Sequence, residues 1–330
     1  MNMVRFGIIG TNWITESFIQ AASKVEEFSL AAVYSRTNDK ALEFADKYGA
    51  EHTYTDLNEF VKSPEFDAVY IASPNSLHAS QAVLCMENGK HVICEKPIAS
   101  NADEVSKMIA AAKENNVVLM EALKTTQLPN FLAIKENLHK IGKVRRYFAS
   151  YCQYSSRYDK YKEGTVLNAF KPEFSNGSLM DIGIYCVYPA VALFGEPNEV
   201  KASSYMLESG VDGEGSLLLT YEEMDAVIMY SKITNSYVPS EIQGENGSII
   251  IDKIHTPESV KIQYKDGTVE DITKEQVSES MYYEAKEFIS LVSENIQQSE
   301  LNSHQNSLIT ARILETARKQ VGLIYPADQK

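Results

Sequence analysis

The chain is short of positive charge. Its 330 residues hold 31 Lys and Arg against 45 Asp and Glu, a formal net charge of -14. Nucleic acids and anionic membranes reward clustered Lys and Arg, so neither is expected as a partner. Cysteine is scarce as well. Cys85, Cys94, Cys152 and Cys186 show no C-x-x-C spacing, which argues against a zinc ribbon or a redox dithiol, and no metal site is expected. Three of the four lie in apolar runs and read as reduced, buried thiols of a cytoplasmic protein. No apolar run approaches the ~20 residues that span a bilayer. The opening "MNMVRFGIIG" has an apolar stretch too short for a signal peptide. Internal repeats and low-complexity stretches are missing too. What remains is the composition of an ordinary globular protein, 44% hydrophobic and 23% charged. The length exceeds one usual domain and predicts two, each with room for a core.

The first 122 residues alternate short apolar runs with helical patterns. "VRFGIIG" (4–10), "SLAAVYS" (29–35), "HTYT" (52–55), "DAVYIAS" (67–73), "HVIC" (91–94) and "VVLMEA" (117–122) read as strands. Between them, Ile14, Phe18, Ala21 and Val25 recur at helical spacing, 38–48 stops at Gly49, and 77–89 closes on Asn88-Gly89. Ser100 and Asp103 form a capping box for a helix to about Asn115. This βαβα rhythm predicts a parallel, doubly wound sheet. After about residue 123 the rhythm changes. A helix near 129–139 and an apolar one at 178–194 accompany strands at 143–154, 199–206, 215–220, 226–232, 237–244, 247–252 and 260–264. Turn signals such as Asp212-Gly213, Asn246-Gly247 and Asp266-Gly267 separate several of them. Helices at 276–298 and 304–322 finish the chain. The expected architecture is an α/β Rossmann domain (1–122) and an α+β domain (123–330) with a mostly antiparallel open sheet. The second domain is expected to bind substrate and to form a homodimer or higher homo-oligomer, since a sheet face without helices tends to be buried against a partner.

The first strand runs into Gly10-Thr11-Asn12-Trp13-Ile14-Thr15. In the fingerprint G-x-G-x-x-G/A, Gly10 takes the first place, Asn12 the second and Thr15 the third. Gly10 makes the tight turn, and the second place lets the backbone approach a pyrophosphate at the helix N-terminus. Asn12 departs from the glycine of that place, a survivable change because Asn is the next most tolerant of left-handed geometry. The second strand ends in Ser35-Arg36, where an NAD site usually carries an acid. Arg36 can pair a 2′-phosphate and stack on adenine, which favours NADP(H), with NAD(H) possible. The fourth strand ends in Ser73-Pro74-Asn75, and the Asn75 amide can reach a ribose or a nicotinamide. His78 follows in the first helical turn. The fifth strand ends in "CEKPIAS", where Glu95, Lys96 and Pro97 hold an ammonium at the carboxyl edge of the sheet, the edge at which α/β ligands bind.

"GIIGTNWIT", "SPNSLH", "CEKPIAS" and "SNGSLMDIGIYCV", in that order, resemble the Gfo/Idh/MocA oxidoreductase family over essentially the whole chain. "EKP" followed about 80–90 residues on by D-x-G-x-[H/Y] is a specific combination. The Tyr places the resemblance with the branch of dimeric dihydrodiol dehydrogenases, xylose dehydrogenases and glucose–fructose oxidoreductase. It implies that Lys96 is the catalytic lysine, that Asp181 and Tyr185 are the Asp and Tyr of the second motif, and that Asn75 and His78 lie beside the nicotinamide. Two departures stand out: Asn12 and Thr15 in the glycine turn, and Thr126 and Leu128 where many relatives carry Arg and His.

The implied chemistry is hydride transfer between a nicotinamide cofactor and a sugar, polyol or vicinal diol. An alkoxide needs a proton, and a phenol of ordinary pKa near 10 is a poor base at neutral pH. An adjacent ammonium such as Lys96 stabilises the phenolate. Tyr185 is the expected general acid/base, and Asp181 binds a substrate hydroxyl or orients Tyr185. Asp181, Tyr185 and Tyr188 share a face if the segment is α-helical. Glu95 positions the loop or lies near the nicotinamide. Tyr158 and Lys171, in loops, are candidate substrate contacts. Cys186 reads as packing. A non-catalytic cofactor-binding regulator on the same fold is the competing reading, although a sensor has no need of Lys96, Asp181 and Tyr185 together. A third is an enzyme that retains its NAD for internal oxidation and reduction.

Overall fold

The computed structural model describes residues 3–329. The chain divides into two compact units. One holds the residues up to Ala99, Asp103–Lys124 and Val277–Ser307; the other holds Ser100–Ala102, Thr125–Gln276 and the residues from Leu308 on.

In the first unit, β1 (Val4–Ile9), β2 (Phe28–Tyr34), β3 (His52–Tyr54), β4 (Ala68–Ile71), β5 (His91–Glu95) and β6 (Leu119–Ala122) form one sheet in the order β3-β2-β1-β4-β5-β6. Every ladder is parallel. All four residues of β4 are fully buried, as a strand covered by helices on both faces requires. The crossovers are α1 (Trp13–Ala22), α2 (Asn38–Tyr48), α3 (Leu57–Lys62), α4 (Asn75–Glu87) and α5 (Ala102–Glu114). Helix α2 stops where expected, on Gly49 at φ 75°. The strand order reverses between β1 and β4, where ligands of such sheets bind.

Val277–Ser307 returns to this first unit. Phe288, on the helix Tyr282–Glu294, lies 5.8 Å from Phe6 of β1, inside a cluster where Phe18 stacks on Tyr70 at 3.8 Å. Amphipathic spacing marks this segment as a helix. It does not say which sheet the apolar face will cover, so a single cut near residue 123 misses the return.

The second unit is built on β7 (Val144–Cys152), β8 (Glu199–Met206), β9 (Asp212–Thr220), β10 (Asp225–Ser231), β11 (Ser240–Gly244), β12 (Gly247–Ile251), β13 (Val260–Tyr264) and β14 (Val269–Asp271). Their order is β14-β13-β12-β11-β7-β10-β9-β8. Only the central pair β7 and β10 is parallel; the other ladders are antiparallel. Helices α6 (Pro129–Asn137), α7 (Ser156–Lys162), α8 (Ile184–Phe194), α9 (Tyr282–Glu294, in the first unit) and α10 (His304–Gln320) complete the chain. Helix α8 packs on one sheet face, with Tyr147 Oη donating to the Cys186 carbonyl at 3.0 Å. Sequence patterning passed over α3, α7 and β14. Helix α7 buries none of its residues and so carries no apolar stripe, and β14 has three residues.

One segment has the length and composition of a membrane span. It is Pro172–Phe194, 23 residues, within which an 18-residue window has a mean hydropathy of 1.5. Its window is 72% buried inside the protein, which is the burial of a core helix.

Candidate functional site

The glycine turn lies at the carboxyl end of β1. Gly10 has φ 109°, and a Cβ there would meet the Ala72 carbonyl oxygen at 2.6 Å. Only glycine fits on both counts. Asn12 is not left-handed: its φ is -130°. Its tolerance in the second glycine place has another cause. Asn12 Oδ1 accepts from the N–H of Ile14 (3.0 Å) and of Thr15 (3.4 Å), while Nδ2 donates to the Ala72 carbonyl at 2.8 Å. One side chain thereby caps α1 and ties the β1 turn to the end of β4. Thr15, fully buried, donates from Oγ1 to the Gly10 carbonyl at 2.9 Å. A helix N-terminus behind a turn of this kind fits a pyrophosphate. Thr11 and Ile14 are half-buried there, and Trp13 is 65% exposed.

Beyond β2, the buried Ser35 donates its N–H to the Tyr54 carbonyl at 3.1 Å. Arg36 beside it is exposed, as a group reading a 2′-phosphate must be. At the end of β4, Ser73 Oγ donates to Gln81 Oε1 at 2.6 Å, Pro74 precedes α4, and the half-buried Asn75 is the first residue of that helix.

His78 lies on the first turn of α4. It is 1% exposed, with Nδ1 2.9 Å from the Pro97 carbonyl and Nε2 2.8 Å from the Ser73 carbonyl. Burial pushes its pKa down, with the Lys96 charge adding to the effect. The ring links the end of β4 to the Lys96-Pro97 turn, which is a cis peptide. Glu95 is buried as well. It accepts from Tyr70 Oη at 2.6 Å and from the Lys96 N–H at 3.2 Å. Burial raises its pKa, against the pull of Lys96 and Tyr70. Lys96 itself is half-buried at the strand end.

Sequence reading missed the charges around this strand end. Lys124 Nζ donates to Ser280 Oγ at 2.9 Å and is attracted by Glu284 and Glu95. Glu284 is fully buried, its carboxylate oxygens lack hydrogen-bond partners, and burial holds its pKa well above the ordinary range. Glu121 accepts from the Ile98 N–H at 3.0 Å and is pushed up to about 7 by burial. Nothing local in the sequence marks these positions, because each sits on a different element.

In the second unit, Asp181 lies in a π-helical turn, Leu179–Gly183, which runs directly into α8. The π geometry breaks the simple i, i+4, i+7 face. Asp181 and Tyr185 are half-buried, whereas Tyr188 is fully buried in the core and does not share their environment. Tyr185 meets the edge of Tyr151 at 5.8 Å between centroids. Tyr151 stacks flat on His255 at 3.9 Å, and His255 lies 6.4 Å from Tyr185. Lys232 Nζ is bonded to Asp181 Oδ2 and lies 5.3 Å from the centre of the Phe170 ring. Tyr158 packs on that same Phe170 at 5.9 Å. Lys171 is half-buried next to it, with its N–H on the Asn168 carbonyl at 3.2 Å. Tyr151, His255 and Lys232 gave no sequence signal, since no motif includes them. Among the described residues no group of three or more His, Cys, Asp or Glu is placed to hold a metal ion.

Residues 4–123 match the oxidoreductase family with an NAD-binding Rossmann fold, and residues 132–250 match the GFO/IDH/MocA C-terminal domain. The chain is 61% identical to the scyllo-inositol 2-dehydrogenase (NADP(+)) IolU of Bacillus subtilis, over 99% of this chain and 100% of that one. It is 32% identical to the trans-1,2-dihydrobenzene-1,2-diol dehydrogenase of Xenopus laevis, over 98% and 99%. Among solved structures, KijD10, a 3-ketoreductase from Actinomadura kijaniata in complex with NADP and TDP-benzene, shares the fold. The TM-score is 0.86 at 23% identity, over 97% of this chain and 98% of that one. The chain belongs to the Gfo/Idh/MocA family and is an NAD(P)-dependent oxidoreductase acting on the CH–OH groups of a sugar, polyol or vicinal diol.

Proposed function

We propose that this protein is an NADP(H)-dependent dehydrogenase of a cyclic polyol, with scyllo-inositol as the first substrate to try. The observation that carries the reading is the 61% identity, along the full length, to an enzyme named for that reaction. The residues fit the cofactor. Gly10 makes the tight turn that leads into the N-terminus of α1, where a phosphate would bind, and the exposed Arg36 suits a 2′-phosphate. When bound, the nicotinamide takes up the hydride in oxidation and gives it back in reduction.

The chain's own residues handle the proton and the substrate oxygen. Tyr185 Oη takes the hydroxyl proton as the C–H bond breaks, and returns it to the carbonyl oxygen in the reverse direction. The Lys96 ammonium hydrogen-bonds the same oxygen and stabilises the phenolate. Asp181 accepts from a neighbouring substrate hydroxyl. Glu95 and His78 act from beneath, by fixing the Lys96-Pro97 turn. The partner is a small molecule. The assembly is a homodimer, and a cytoplasmic setting suits four free thiols.

The test is a substrate screen with NADP+ and NAD+ over inositols, aldoses and trans-diols, run on wild type and on Tyr185→Phe. Wild type should turn over a cyclic polyol faster with NADP+. Tyr185→Phe should lose about 10²–10⁴ in kcat with cofactor affinity unchanged, the range for a positioned acid. A Tyr185→Phe enzyme with wild-type kcat would falsify the acid/base assignment.

A further inference from the structure

We propose that Lys232 is the positioning residue that holds the Asp181 carboxyl group in place and aims it at the substrate hydroxyl; this rests on the reading of Asp181 as a substrate-binding group. Lys232 directly follows β10. Its backbone is held on both sides, the N–H donating to the Gly213 carbonyl at 2.9 Å and the carbonyl accepting from the Ser155 N–H at 2.9 Å. The ammonium therefore projects from a fixed root. Its side chain is 4% exposed, and a buried ammonium without a partner is costly.

Two carboxylates face this ammonium. Asp212 is 1% exposed and accepts from the N–H of Ser178 (3.2 Å) and of Leu179 (2.7 Å). It is occupied in holding the start of the π turn. Gly177 is part of that arrangement: its φ is 149°, and a Cβ there would meet Asp212 Oδ1. Asp181 is the second carboxylate, and it takes the direct bond from Lys232.

The pair is asymmetric in its exposure. The Asp181 side chain is 31% exposed against 4% for Lys232. A pair that served the core alone would bury both ends. Here the cation stands behind and the carboxylate faces outward, a geometry that presents an acceptor while denying it rotation. The Phe170 ring near Lys232 Nζ blocks one other direction for the ammonium. A π turn at this point fits the same purpose, because such turns recur where a side chain must be re-aimed for function.

The experiment is steady-state kinetics with NADP+ and the best substrate of the screen, on Lys232→Arg, Lys232→Met, Lys232→Gln, Asp181→Asn and the double variant Lys232→Met with Asp181→Asn. Thermal melts check each fold, and Lys232→Gln serves if Lys232→Met does not fold. Lys232→Met should lower kcat/KM for the polyol by about 10–100-fold, the worth of one charge-assisted hydrogen bond, while the Kd for NADP+ stays at the wild-type value. Lys232→Arg should recover most of that loss. Adding Lys232→Met to Asp181→Asn should cost little more, since the lysine acts through the carboxylate. An equal loss in both backgrounds, or Lys232→Arg as impaired as Lys232→Gln with a native melt, overturns the proposal. If Asp181→Asn alone keeps wild-type kcat/KM, the reading of Asp181 fails first and the role of Lys232 falls with it.

Discussion

At the scale of single residues, charge and burial decide what each group can do. Arg36 is exposed just past the end of β2, where a guanidinium can meet a 2′-phosphate bidentately. Arg36→Ala should raise the Kd for NADPH by about 10–100-fold, the equivalent of one lost charge-assisted pair, and leave NADH almost untouched. Titration calorimetry with both cofactors measures the difference; equal weakening would show that Arg36 does not read the phosphate. Glu121 makes a different kind of prediction. It is 2% exposed, Oε2 lacks a partner, and burial lifts its pKa from 4.5 to about 7. Between those values the folded chain holds a proton that the unfolded chain has released. Stability therefore falls as pH rises from about 4.5 to about 7, and the cost is complete above that, up to roughly 3 kcal/mol. Glu121→Gln stays neutral throughout. Its melting temperature should exceed wild type at pH 8 and lie close to it at pH 5. A gap that does not widen with pH would count against a buried, titrating carboxyl.

Elements are defined at their ends. Helix α1 starts where the fingerprint asks for a second glycine, and it starts on Asn12 instead. The cap bonds to Ile14 and Thr15 and the bond to the Ala72 carbonyl explain this. Replacing such a cap by Ala costs about 1 kcal/mol. Asn12→Ala should lower stability by about that amount and weaken NADP(H) as well, because the turn loses its tie to β4. Asn12→Gly, which restores the fingerprint, should lose only a few tenths of a kcal/mol. Chemical denaturation with and without cofactor reads both effects. If Asn12→Ala binds NADP(H) as wild type does, the tie to β4 has no bearing on the cofactor. The same logic holds for Asp181: its π turn is pinned at the start by Asp212, so a residue at the start of β9, distant in sequence, governs where a catalytic candidate points.

For the whole molecule, the eight-stranded sheet sets the expectation. Helix α8 covers one face. On the other, Leu218 pairs with Val227 and Ser216 with Met229, and Tyr205, Leu218 and Met229 are 60%, 38% and 40% exposed. An apolar strip of this kind on a broad sheet is best satisfied by a second copy. The expected solution state is a homodimer. Met229→Glu should shift light scattering at micromolar concentration toward the monomer mass. A wild type that is monomeric under the same conditions, or a Met229→Glu variant that stays dimeric, would place the interface elsewhere or remove it.

Local signals were enough for the first half of the fold and for the residue types of the site. Alternating apolar runs dictated a parallel sheet, glycine and proline marked its turns, and "CEKP" placed Lys96 on the edge where ligands bind. Resemblance to a family supplied Asp181 and Tyr185, which sequence spacing alone would have left as core. The tertiary structure decided what periodicity cannot carry. It brought 277–307 back to the first unit, buried His78 as a tie between the end of β4 and the Lys96-Pro97 turn, and set Tyr188 in the core. It put Lys232 behind Asp181 from 51 positions away in the chain, and stacked Tyr151 on His255. The reason is physical. Helix and strand patterns record which side of an element avoids water, and that is written locally. The partner of a buried charge or the neighbour of an aromatic ring depends on which elements pack together, and no short stretch of sequence contains that information.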